Sequence, residues 1–203
     1  MARRPRVLDV TARLRPLTWA GAEAVCAGLS LPGGPAPDGG EATRPLALDD
    51  ALTGQTEGWA IVPGAGRAVL AAACVDDDLA GPLGRVPASG ADEVAGLVVA
   101  GFLEAVRAAQ DEARVYGDRR TKAMPEPYRT TCADARNEAR GSAAWTAPTA
   151  FATEGTATWA VLHEWPLARV LCYFEDRAVG GVLREIERTV DEMKAEAGVD
   201  RRG

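Results

Sequence analysis

The sequence predicts an α+β fold: a two-layer sandwich whose mainly antiparallel sheet is built from two hairpins, with two long helices packed on it. Three observations carry that expectation. One pattern occurs twice, as GWAIVPGAGRAVLAAACVDD at 58–77 and TWAVLHEWPLARVLCYFED at 158–176: Trp-Ala, two aliphatics, a short turn, an Arg, an apolar run with a Cys, then acid. Each copy leads into a long stretch of apolar residues at helical spacing, which reads as tandem strand–turn–strand–helix units. The start of the chain alternates apolar and polar residues, as a half-buried strand does.

Taken in order, Leu8, Val10, Ala12 and Leu14 share one side of residues 7–14, and Pro16 ends that strand. Thr18 caps a helix over 19–29, where Trp19, Ala22, Val25, Cys26 and Leu29 share a face. Residues 31–45, LPGGPAPDGGEATRP, are rich in Pro and Gly and are expected as a flexible surface loop. The first hairpin places strands near 58–62 and 67–75 around Pro63-Gly64-Ala65-Gly66. Its second strand, AVLAAACV, is apolar on both faces, as a covered central strand is. Asp76-Asp77-Asp78 reads as a solvated turn.

Ser89 with Asp92 forms a capping box for the first long helix, along which Val94, Val98, Phe102, Ala105, Ala109, Ala113 and Tyr116 recur. Its first half is apolar nearly all round and is expected to be buried, and Gly117 is the expected stop. Residues 118–150 are expected as an irregular, partly basic insert. Within them CADARNEAR, capped by Thr131 and Asp134, is polar round most of its circumference and should pack weakly. The second hairpin has strands near 156–162 and 168–175 and turns at His163-Glu164-Trp165-Pro166. Asp176 then caps the last helix, whose stripe is Val179, Val182, Leu183, Ile186, Val190, Met193 and Ala197. Arg184–Glu187 and Arg188–Glu192 are spaced as charge pairs on its exposed side.

With 203 residues the chain reads as a single domain, 1–203. A net charge of −6 argues against general nucleic-acid binding, which needs basic surface to displace counterions. The longest apolar run falls far below the roughly 20 residues a membrane span requires, so the expectation is a cytoplasmic protein with no membrane partner. Cys26, Cys74, Cys132 and Cys172 stand apart, with no metal-ribbon spacing, and read as reduced core thiols.

No phosphate-loop, dinucleotide, zinc-protease or nucleophile-elbow motif is present, and the sequence calls for no cofactor and no metal. The one histidine, His163, lies beside Glu164, with Cys172 or Cys132 as conceivable nucleophiles. Neighbours in a strand face opposite ways, so no catalytic residue is assigned. The candidate partner-binding residues are the basic cluster Arg119, Arg120, Lys122 and Arg129, together with Trp145, His163, Glu164 and Trp165. Scarce catalytic residue types and small-residue helix faces point to a non-catalytic binding or assembly protein. Its partner is another protein or its own copy, as in a phage-, plasmid- or complex-component factor. The alternative is a small-molecule-binding domain or enzyme with a pocket between sheet and helices near His163, lined by Trp59, Trp159, Tyr173 and Phe174.

Overall fold

The computed structural model describes residues 13–35, 41–126, 128–141 and 159–196. They are mostly helical, 71% helix against 10% strand, which overturns the expected sheet-based sandwich. The elements run α1 Trp19–Cys26, β1 Leu29–Pro35, β2 Glu41–Pro45, α2 Leu48–Thr53, β3 Ala60–Ile61, α3 Gly66–Ala73 and α4 Asp76–Ala80. A 3-10 turn at Leu83–Arg85 precedes α5 Ala88–Lys122, α6 Tyr128–Gly141, α7 Trp159–His163 and α8 Leu167–Glu196. Two compact units divide between Val106 and Arg107. Among the described residues no helix is long and apolar enough to cross a membrane.

The first expected hairpin fails at its second strand and the other at both, its first strand being helical from Trp159 on, with 156–158 outside the described residues. Residues 66–73 are helical because Gly66, Val69, Leu70 and Ala73 bury one face at i, i+3, i+4, i+7, and Ala has the highest helix propensity. Leu167, Val170, Leu171 and Phe174 carry the same spacing at the start of α8. Trp59 stands just before β3, whereas Trp159 opens α7, so the doubled pattern does not fold twice into one unit. Asp176 lies inside α8 and caps nothing.

In the first unit the sheet has the order β2–β1–β3, antiparallel throughout. It is made from the stretch expected as a loop. Leu31 pairs with Arg44 and Leu29 with Ile61, and the β1–β2 register shifts between Pro32 and Pro35. Proline lacks a ladder donor and is tolerated at such irregularities and at edges. Of the expected first strand, residues 7–12 lie outside the described residues. Leu14 makes an isolated antiparallel bridge to Cys74. The acidic run is no bare turn: Asp78 accepts from the Arg13 backbone N–H at 2.8 Å, and Asp76 pairs with Arg15.

Thr18 caps α1 as expected, its hydroxyl accepting from Gly21 N–H at 3.0 Å, and Trp19, Ala22, Val25 and Cys26 are buried. Along α5, Val94, Val98 and Phe102 are buried, but Leu97 is 62% exposed, so this half is not covered all round. Asp92 reaches another element: its carboxylate accepts from Gly64 N–H at 2.9 Å and Gly66 N–H at 2.8 Å, capping the start of α3.

Arg44 ties the edge strand β2 to α2. Its two terminal nitrogens donate to the two Asp50 oxygens at 2.7 Å each, and Asp50 also accepts from Ala47 N–H at 2.8 Å. The Arg44 hydrogen bonds hold the buried Asp50 carboxyl below the usual carboxylate range against the upward push of its burial, helped by the Ala47 bond. A depressed carboxyl pKa contributes stability above the unfolded value, about 3.9, and loses it as pH falls through the folded value. Arg44→Gln is therefore expected to lower the thermal midpoint at pH 7. The gap from the native chain should close as pH falls below about 4, read by circular dichroism melts across pH.

In the second unit α6 and α8 run antiparallel, since Arg136 meets Glu175 while Tyr128, at the other end of α6, lies beside residues 183–194. The expected weakly packed polar helix is in fact anchored: Cys132 is fully buried and Arg136 is 2% exposed. Arg136 donates to Glu175, which is 3% exposed, to the Thr121 hydroxyl, to Asp118 at 2.9 Å and to the Arg114 carbonyl at 3.4 Å. Gly117 does not stop α5. It makes room, because a Cβ there would collide with the Arg136 guanidinium and a Glu175 oxygen. Residues 118–141, expected as irregular, are thus largely helical.

Candidate functional site

Helix α8 has 30 residues and α6 only 14, about 45 Å against about 21 Å at 1.5 Å per residue. Among the described residues, only Tyr128 at the start of α6 lies beside the far turns of α8, and it leaves them partly open. The apolar stripe does not stop there. Val179 is buried, Val182, Leu183 and Ile186 are half-buried, Val190 is 37% exposed and Met193 is 63% exposed. Tyr128 extends this face into an open groove lined by Leu183, Ile186, Glu187, Val190, Asp191 and Lys194.

The spacing along the seam is 179, 183, 186, 190, 193, alternating four and three. A straight helix lying on a globular core follows a 3.6 period, whereas a 3.5 period keeps one narrow seam facing a second helix. On the far side, Arg188 pairs with Glu185 and, at 3.7 Å, with Glu192, so those charges stay in water. The other expected pair, Arg184–Glu187, does not form. Among the described residues Glu187 and Lys194, which flank the seam, have no ion-pair partner.

The residues singled out from sequence fall into separate places. Arg119, Arg120 and Lys122 occupy the last turn of α5, where cations offset the negative end of the helix dipole. Arg120 donates to Asp176 at 3.2 Å, and Arg129, in the first turn of α6, donates to the Met124 carbonyl and pairs with Glu126 at 3.2 Å. Among the described residues two of the four cations are thus paired. His163 closes α7 half-buried, and Glu164 is exposed. Trp165 is half-buried, with the Arg169 guanidinium 3.9 Å above its ring and Tyr173 at its edge, 6.3 Å between centroids. Trp145 lies outside the described residues. No hydrogen bond, ion pair or ring contact joins the basic cluster to the His163–Trp165 turn among the described residues.

A second groove, between Asp111, Glu112, Val115, Tyr116, Arg119 and Cys172, shows why thiol chemistry is not favoured. Burial, then the charges of Glu112, Glu175 and Asp176, push the Cys172 thiol up to about 11. Burial also pushes up Cys132. A nucleophilic cysteine needs the opposite, an electropositive setting that favours thiolate. The Tyr116 hydroxyl in this groove donates to Asp176 at 2.6 Å, a bond that closes α5 onto α8. The strands expected at 156–162 and 168–175 to wall a crevice beside His163 are not formed, since 159–163 and 167–196 are helical.

Sequence reasoning saw the apolar stripe of α8 but did not separate its buried part from its exposed part. The signal that separates cover from exposure is the short partner helix, only 14 residues before Gly141. Arg136 gave no periodic signal, being a polar residue in polar surroundings, and Glu175 reads as the polar end of an apolar run. No family model, curated protein or solved structure matches the chain.

Proposed function

We propose that this protein is a non-catalytic binding and assembly protein that joins a second copy of itself through the exposed half of α8. The observation that carries this reading is the apolar seam, which continues at heptad spacing through the exposed Val190 and Met193. Large apolar side chains left in a row on a helix mark a contact surface more often than scattered ones do. Burial pushes the Cys26, Cys74, Cys132 and Cys172 thiols up, which works against thiolate chemistry.

The test is light scattering of the purified chain over a range of concentrations, for the native sequence and for Val190→Glu and Met193→Glu. The native chain is expected to dimerise, and each variant to weaken the dimer by about 10- to 100-fold, as burying a Val or Met contributes about 1.5–3 kcal/mol. Thermal midpoints of the isolated chains should barely move, because both positions are exposed. A native chain that stays monomeric at high concentration sinks the reading.

A further inference from the structure

The seam also specifies how a second copy would lie, an inference that rests on the self-association just described. In heptad terms Leu183 and Val190 take the a position, Val179, Ile186 and Met193 the d position, and Glu187 and Lys194 the e position. The g positions are Val182, Thr189 and Glu196, of which Val182 and Thr189 lie one heptad register before Glu187 and Lys194. Two parallel helices set e against g, so Glu187 would face Val182 and Lys194 would face Thr189, leaving both charges without a complement. Two antiparallel helices set e against e.

We propose that two copies pair antiparallel through the last turns of α8, with Glu187 of each copy against Lys194 of the other. Two-fold symmetry forms this ion pair twice, as expected of a self-complementary interface. Two separate observations select one register. Placing Glu187 beside Lys194 of the second copy sets Val190 beside its Met193, the two most exposed apolar residues of the seam. Sliding one heptad inward would oppose Glu187 to Glu187 and would demand more from Leu183, which is already half-covered. The charges are also available: Arg188 satisfies Glu185 and Glu192, whereas Glu187 and Lys194 have no ion-pair partner among the described residues.

The experiment measures dimer dissociation at low ionic strength for E187K, for K194E, for the double variant, and for an equimolar mixture of the two single variants. Each single reversal converts two attractive contacts into two repulsive ones and is expected to weaken the homodimer by about tenfold. The double variant should return to the native affinity. The mixture should form a heterodimer tighter than either homodimer, because one chain then offers lysine and the other glutamate at both e positions. Single reversals that dimerise like the native chain, or a mixture with no gain, overturn the antiparallel register. In that case Val190→Glu still reports on the seam by itself. A native chain that is monomeric throughout overturns both and leaves α8 as the face for a different protein.

Discussion

Arg136→Met is expected to destabilise the second unit by about 3–5 kcal/mol, the penalty for removing one member of a buried ion pair. Glu175 sits 3% exposed and would keep its charge without its main partner, while Thr121 and Asp118 would each lose a donor. Glu175→Leu should do comparable damage from the other side. The double replacement Arg136→Met with Glu175→Leu is expected to recover most of the loss, since a well-packed apolar pair removes the desolvation penalty together with the attraction. Urea unfolding followed by circular dichroism reads the totals, and amide exchange over residues 107–196 locates them. Two single variants close to native stability would show that the network contributes little. A double variant as damaged as the singles would show that the site cannot repack around apolar side chains.

Gly66→Ala is expected to destabilise the first unit by about 2–3 kcal/mol, at the upper end of what a forced methyl costs in a packed site. The added carbon would lie 2.5 Å from the Ala91 carbonyl carbon and oxygen and from the Asp92 nitrogen. These are backbone atoms of α5 and cannot rotate aside, so α3 must back away. Moving it also stretches the bonds from Gly64 and Gly66 N–H to Asp92, a cap worth about 1 kcal/mol. Gly64→Ala is the informative control. Gly64 has φ of +83° with open space around the added carbon, so only the left-handed penalty of about 1–2 kcal/mol applies. Equal losses for the two variants would remove the close approach of α3 and α5 as the cause.

The helices that sequence placed well are those with contrast between faces. Thr18 followed by Trp19, Ala22, Val25 and Cys26 has a cap and a stripe, and Val94, Val98 and Phe102 repeat against Glu93 and Glu104. The two misread strands lack that contrast. In AVLAAACV the residues between Val69, Leu70 and Ala73 are themselves Ala, and in LARVLCYFE they include Cys and Tyr, so a helical stripe is drowned in an apolar run. The sheet hid for the opposite reason. Its strands carry Pro32, Pro35 and Pro45, residues that ordinarily argue against a ladder, and only the alternating Leu29 and Leu31 betray an inner face. Gly117 was read by its commonest role, a helix stop. Its position one turn from Thr121, with Asp118 next to it, made a pocket for a distant arginine, a tertiary fact with no local signature.

Among the described residues, α8 past Ile186 is held by its own ladder, by surface pairs such as Arg188 with Glu185 and Glu192, and by the nearby Tyr128, and helices of that length are marginal in water without packing. Its last turns therefore fray first, with an opening free energy far below that of the core. Whatever docks there must order those turns in the act of docking and forfeits part of the contact energy to their lost entropy. A surface built this way favours a fast, reversible handshake over a permanent joint.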